Sequence, residues 1–201
     1  MNPFLNMDGD ILLFLQDHVR NPICDFFFKL ITHLGDAGIF WIILTLVLLC
    51  FKQTRKAGVC SCIALLGSVI LNNMILKPLV ARPRPFWHGD TFDAKGLVTN
   101  VEGLKCIVKE AKDYSFPSGH TGASFASAVA LYPNLKKRYS IPLLILAALI
   151  AFSRLYIGIH YPTDVLAGLI DGIFLGIMAV LICNFIYRKM EEKKQASELK
   201  G

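Results

Sequence analysis

Three short clusters in this chain hold residue types suited to gripping a phosphate. The first is Lys77 with Arg84 and Pro85. The second is Pro117-Ser118-Gly119-His120. The third is Ser153-Arg154, then His160, then Asp164. A phosphate site needs fixed positive charge and oriented N–H donors. Arg84 and Arg154 offer planar forks, and Lys77 offers a point charge. Ser118-Gly119-His120 opens an apolar stretch directly after a proline. A helix N-terminus with a glycine presents free backbone N–H groups, which suit the same anion. Ser118 is placed to cap that helix or to donate to the ligand.

Hydrolysis needs a nucleophile and an acid as well. His160 and Asp164 are four residues apart at the start of an apolar run, so one helical turn can bring carboxylate to imidazole. Asp164 would then fix the tautomer and stabilise the imidazolium, leaving the other ring nitrogen free to attack. His120 has no carboxylate beside it in the sequence and is better suited to protonating a leaving oxygen. Taken singly, such residues have plainer readings. A Lys or Arg at a span end snorkels to the interface, and a lone histidine packs, which is how His18, His33 and His88 are read. Three clusters at the ends of successive apolar runs are harder to explain that way.

Those runs are the elements that must position the clusters. Of 201 residues, 54% are hydrophobic and 18% charged, where soluble domains are nearer a quarter charged; mean hydropathy is +0.52. The stretch from Ala57 to Leu76 carries no charge, and at roughly 1.5 Å per residue it can cross a bilayer core of about 30 Å. The pattern predicts an all-α, integral membrane bundle of six transmembrane helices with an N-terminal interfacial helix and a short helix in the outer loop. The spans are Pro22 to Leu34, Ala37 to Phe51, Ala57 to Leu76, Ser118 to Tyr132, Ile141 to Ile159 and Pro162 to Tyr187. Asp25, Lys29 and His33 make one polar stripe on the first, which should face protein rather than lipid.

Residues 1–201 read as a single domain, with 1–20 at the interface, 77–117 as the outer loop and 188–201 as a tail that frays into solvent. Basic clusters at 52–56, 136–138 and 188–194 follow the second, fourth and sixth spans. The positive-inside rule puts them in the cytoplasm with both termini, and the phosphate-type clusters at the outer face of a cell membrane. Net charge is +6, but it sits in these short topogenic clusters, which argues against a nucleic-acid partner. The N-terminus carries Asp8, Asp10 and Asp17 and no basic n-region, so it is not read as a signal peptide. The six cysteines read as free thiols. Oligomeric state is not legible.

Within the outer loop, 101 to 112 reads as a small amphipathic helix. Thr99 and Glu102 would form its capping box, and Leu104, Ile107, Val108 and Ala111 its apolar stripe. Gly168, Gly172 and Gly176 recur every four residues on the last span, and the Ser118–Tyr132 span is rich in Gly, Ala and Ser. Small residues at such spacing let helices approach closely, so these two should pack together beneath the site. Asp171 lies deep on the same face as Asp164 and is read as a hydrogen-bond partner of Asn72 or Asn73.

The pattern K-x6-R-P, P-S-G-H and S-R-x5-H-x3-D resembles that of the type 2 phosphatidic acid phosphatase superfamily, in its membrane lipid phosphatase branch. The resemblance covers residues 77 to 164, complete and in order. It implies a phosphoric ester or diphosphate hydrolase in which His160 is the nucleophile, passing through a phosphohistidine. Asp164 orients it, and His120 is the general acid that later activates water. Lys77, Arg84, Ser118, Gly119 and Arg154 hold the phosphoryl group, and no metal or other cofactor is implied. The expected partner is a membrane lipid phosphate: undecaprenyl diphosphate, phosphatidylglycerol phosphate or phosphatidic acid. Arg82, in a second Arg-Pro pair, reads either as a contact to a further phosphate or headgroup or as a plain surface residue. The alternative from another class is a polytopic anion channel or transporter without hydrolase activity. A soluble-type phosphatase or haloperoxidase using the same residues is disfavoured by the charge-free third span.

Overall fold

The computed structural model describes residues 3–86, 101–108 and 113–198. Among these residues every regular element is helical. In chain order they are α1 (Pro3–His18), α2 (Pro22–Leu34), a 3-10 turn (Asp36–Gly38), α3 (Ile39–Cys50) and α4 (Arg55–Ser68). α4 runs through a π-helical segment (Val69–Leu76) into α5 (Lys77–Val80). Then come α6 (Gly119–Leu131), α7 (Lys137–Tyr156) and α8 (Pro162–Glu198). Three continuous helices, Arg55–Val80, Lys137–Tyr156 and Pro162–Glu198, are long and apolar enough to cross a membrane. α2 and α3 make a fourth candidate if the pair counts as one bent span.

α6 is the centre of the bundle, packed against α4, α7 and α8. Its sequence explains this position. Most of its residues are Gly, Ala, Ser or Thr, and eight of them, from Thr121 to Leu131, are buried. α8 meets it through the predicted glycines. A Cβ added to Gly168 would lie 2.6 Å from the Ser118 carbonyl oxygen, one on Gly172 2.6 Å from that of Gly122, and one on Gly176 2.7 Å from Val129 Cβ. Only a residue without a Cβ permits backbones this close. On the other side, small hydroxyls tie three helices together. Trp41 Nε1 donates to Ser124 Oγ (2.9 Å), Thr45 and Ser61 share a hydrogen bond of 2.6 Å, and Ser61 and Ser127 one of 2.7 Å. Such bonds contribute about 0.6 kcal/mol each in a bilayer. Ile43, Leu46, Ile70, Ile145, Ile170 and Leu181 point outward, as an apolar solvent requires.

Three expectations change. Pro22–Leu34 and Ala37–Phe51 were expected as two separate spans, which requires the chain to reverse between them. The axes of α2 and α3 instead bend by only 49°, so the two run on in one general direction. α2 also runs across the end of α7. The Asn21 N–H donates to the Tyr156 hydroxyl, which donates to Asp25, while Arg154 reaches Thr32. The Phe28 ring packs at a tilt against those of Phe152 and Tyr156. Ile31, near the end of α2, joins the core cluster that includes Ala147 and Ile150. Of the expected polar stripe, Asp25 and His33 find protein partners and Lys29 is exposed.

The outer-loop helix is not formed over its described part, 101–108. Gly103 takes φ +81°. Val101 and Leu104 are buried with Leu12 and Tyr161, and the backbone N–H groups of Val101 and Ile107 donate to Pro85 and Ile157. Tertiary burial of Val101 and Leu104 wins over the local helical pattern. Thr99 and Ala111 lie outside the described residues, as does His88. Finally, the tail does not fray before Glu198. α8 continues through it, with Arg188–Glu192 and Lys194–Glu198 pairs at i,i+4, spacing that supports an exposed helix.

Candidate active site

The chain ends that meet at the top of α6 build one cavity of about 510 Å³. Lys77, Arg84, Gly119, His120, Arg154 and His160 line it, with Asp113 and Asn73. Ser118 and Asp164, also expected here, stand behind the wall, both fully buried. The π-helical segment delivers two consecutive asparagines to different neighbours. Asn73 faces the cavity, and Asn72 Nδ2 donates to Asp171 Oδ1 (3.3 Å). A widened turn of this kind is frequent where a helix serves a site.

His160 sits on the short connection between α7 and α8. Its Nδ1 faces Asp164 Oδ2 at 3.4 Å, and its Nε2 lies 3.2 Å from Arg84 Nη1. Guanidinium nitrogens only donate, so Nε2 must present its lone pair and the ring proton belongs on Nδ1, toward the carboxylate. Burial first, then the cations of Arg84 and Arg154, push the His160 pKa well below the usual histidine value. That shift favours the neutral imidazole, with the Nε2 lone pair at the cavity wall. Asp164 is held in turn by the Ser115 hydroxyl, the Tyr161 N–H (3.0 Å) and Arg82 Nη1 (2.6 Å).

The cations are held with similar care. Arg84 donates to the carbonyls of Asp113 (2.8 Å) and Ile159 (2.9 Å). The Asp113 carboxylate bridges Lys77 and Arg84. Burial would raise the Asp113 pKa, but these two cations outweigh it and bring it down to about 2. Arg154 donates through Nη1 to Thr32 Oγ1, while its buried Nε has no hydrogen-bond partner among the described residues. An orphaned cationic donor beside a cavity is what an anion would satisfy. Ser118 does not cap α6 with its side chain. Its Oγ accepts from Thr121 (2.9 Å), and its N–H donates to the Asp164 carbonyl (3.0 Å). Among the described residues, no group of three His, Cys, Asp or Glu side chains is placed to share a metal ion.

The PAP2 superfamily model matches residues 57–188. That is well over half of the chain and includes all three clusters. The chain belongs to the PAP2 superfamily. An undecaprenyl-diphosphatase of Sulfolobus acidocaldarius is 33% identical over 142 residues, 71% of this chain and 63% of that protein. The chain therefore spans somewhat less than two thirds of that relative. A lipid A 4'-phosphatase of Porphyromonas gingivalis is 30% identical over 94% of this chain and 75% of its own length. Among solved structures, Aquifex aeolicus LpxE superposes with a TM-score of 0.70 at 25% identity, covering 90% of this chain and 96% of that one. A PAP2-type phosphatidylglycerolphosphate phosphatase of Bacillus subtilis has the same fold, with a TM-score of 0.67 at 24% identity, over 96% of this chain and 88% of that one.

Four residues of this PAP2 superfamily member were not singled out from sequence, and a fifth was misplaced. Asp113 and Ser115 lie in the polar loop with no periodicity to mark them. Asp36 was read only as part of a turn, yet its Oδ1 lies 3.0 Å from His120 Nε2. Asp8 was read only as evidence against a signal peptide. It accepts from Arg82 (2.8 Å) and from the Thr163 N–H (3.1 Å) at the start of α8. Arg82, left between a substrate contact and a surface role, is an inward-facing brace. Its guanidinium lies 3.8 Å above the Tyr161 ring between two buried carboxylates.

Proposed function

We propose that this chain is a phosphoric ester hydrolase that removes the terminal phosphate of a membrane lipid phosphate or diphosphate through a phosphohistidine. The observation that carries the reading is the placement of His160 Nε2. It is an unprotonated nitrogen at the wall of a cavity that also holds Lys77, Arg84, Arg154 and His120. Nε2 attacks phosphorus, the bond to the leaving oxygen breaks, and His120 supplies the proton that oxygen takes. Asp164 stabilises the developing imidazolium through Nδ1. Water then attacks the phosphohistidine, giving its proton to His120 and returning the Nε2 lone pair. Lys77, Arg84, Arg154 and the Gly119 end of α6 hold the equatorial oxygens. No metal is needed for this sequence of steps.

A lipid substrate is supported by the shape of the same cavity. Below its charged end it is lined by Ile42, Leu65, Val69 and Ala123, which suits an apolar chain beside the headgroup. The relatives are named for undecaprenyl diphosphate and lipid A; either chemistry, or a glycerolipid phosphate, fits the charges present. The transporter reading lacks a polar route through the bilayer, since the cavity's cations gather at one end.

The membrane arrangement that best accounts for the packing has five crossings: α2 with α3 as one bent span, then α4–α5, α6, α7 and α8. In it the three basic clusters would be cytoplasmic and the site would face outward. The N-terminus would lie on the site's side in this arrangement; a cytoplasmic N-terminus would need a sixth crossing. Its α1 docks through Asp8 and Leu12 on Thr163, Val101 and Tyr161, all at that end.

Purified protein in detergent, with a chelator present, should release phosphate from at least one of undecaprenyl diphosphate, phosphatidylglycerol phosphate and phosphatidic acid. His160→Ala should abolish the release. Full turnover by that variant would overturn the assignment.

A further inference from the structure

The site's second histidine has a carboxylate of its own, and it comes from outside the family-matched stretch. His120 Nε2 lies 3.0 Å from Asp36 Oδ1, on the turn between α2 and α3. The pairing is built by the fold rather than by local sequence, since 84 positions separate the two. Gly35 makes the approach possible. A Cβ there would lie 2.8 Å from His120 Cδ2 and 2.9 Å from the Ile150 side chain. The second oxygen of Asp36 is held by His33 Nδ1 at 2.7 Å, so the carboxylate is fixed from both sides. Around His120 stand Asp36 from the turn, Arg154 from α7, and Arg84 and His160 across the cavity. Among the described residues, Asp36 is the acid hydrogen-bonded to it, while Asp113 lines the same cavity.

We propose that Asp36 is the positioning residue of the general acid. It accepts the His120 Nε2 proton, so Nδ1 is the ring nitrogen that meets the substrate. The inference rests on His120 being the acid. In the first step the P–O bond breaks as the His160 Nε2–P bond forms. The electron pair moves to the leaving oxygen, which takes the Nδ1 proton. His120 is left neutral with Nε2–H still on Asp36, ready to accept a proton from water. Asp36 remains ionised throughout, as the carboxylate partner of a catalytic histidine does.

A proton donor matters only when the leaving oxygen is a poor leaving group. The test compares kcat/KM for phosphatidic acid, whose leaving group is an alkyl alcohol, with kcat/KM for p-nitrophenyl phosphate, whose phenolate departs unaided. This parameter covers only the steps up to leaving-group departure, so phosphohistidine hydrolysis does not enter it. Asp36→Asn should lower the value for phosphatidic acid by about 10²-fold while leaving that for the aryl phosphate within about threefold. Gly35→Ala, which keeps Asp36 but crowds the His120 ring, should show the same selectivity and guards against a folding defect in the first variant. Equal losses on both substrates, or no loss on either, would overturn the role of Asp36. His120→Ala separates the two layers. If it is selective and both variants at 35 and 36 are not, only the Asp36 assignment fails. If His120→Ala itself is unselective, the reading of His120 as the acid fails first.

Discussion

Arg82 binds one oxygen of Asp164 while His160 faces the other: Nη1 stands 2.6 Å from Oδ1, and Nδ1 of the histidine 3.4 Å from Oδ2. The second Arg82 nitrogen reaches Asp8 at 2.8 Å. One guanidinium thus neutralises two buried carboxylates and ties α1 to the catalytic end of α8. Removing one partner from a buried pair costs roughly 3–5 kcal/mol, because a charge is left uncompensated. Arg82→Ala should therefore lower the melting temperature in detergent and reduce kcat as Asp164 loses its anchor. Arg82→Lys, which keeps charge without the fork, should fall between the two. An unchanged melting temperature for Arg82→Ala would show that Asp164 is held without it.

Asp164→Asn tests the orienting role with the shape preserved. The amide cannot stabilise the imidazolium and can impose the wrong tautomer. On the precedent of buried Asp–His pairs the expected fall in kcat is on the order of 10³-fold or more, with KM little changed. A comparable rise in KM instead would point to loss of substrate binding.

Asp113 occupies the two cations that a phosphoryl group needs, Lys77 and Arg84. Asp113→Asn should tighten inhibition by inorganic phosphate about tenfold, equivalent to ~1.4 kcal/mol. The pH dependence follows from the carboxyl's lowered pKa. A group depressed to about 2 contributes fully above its ordinary range and is lost only as pH falls through the lowered value. Asp113 should accordingly remain charged from about pH 5 to 8, and the variant should bind phosphate more tightly throughout that range. Weaker phosphate inhibition in the variant would mean that Asp113 arranges the cations rather than competing for them.

The α6–α8 seam should be intolerant of added atoms. Gly172→Ala places a carbon 2.6 Å from the Gly122 carbonyl oxygen, and overpacking of this kind costs about 1–3 kcal/mol, read as a lower melting temperature. Gly168→Ala presses on the Ser118 carbonyl behind the wall of the site and should reduce kcat as well. Equal activity of the two variants per folded molecule would argue that the seam does not set the position of α6.

The five-crossing arrangement is tested by an epitope tag before Met1 and another after Gly201 in intact cells. The first should be reachable by an impermeant reagent and the second protected. Protection of both would restore six crossings.

The sequence by itself determined the solvent and the chemistry. Long uncharged runs leave no alternative to helices in lipid, because every backbone group must be paired internally. Lys77, Arg84, Ser118, Gly119, His120, Arg154, His160 and Asp164 announce their chemistry through residue type and short spacing. The α8 glycines announce their seam through a four-residue period. The tertiary structure alone decided what approaches from a distance. Asp36 reaches His120 across 84 positions and Asp8 reaches Arg82 across 74; no local period encodes either. It also decided the direction of α2. Basic clusters report only which ends of the later helices share a side, so they fit five crossings as well as six. An apolar run of thirteen residues has the same composition whether it spans a bilayer alone or leans across the end of α7. Packing against Phe152, Arg154 and Tyr156 is what supports the second reading, and packing is a property of the folded chain.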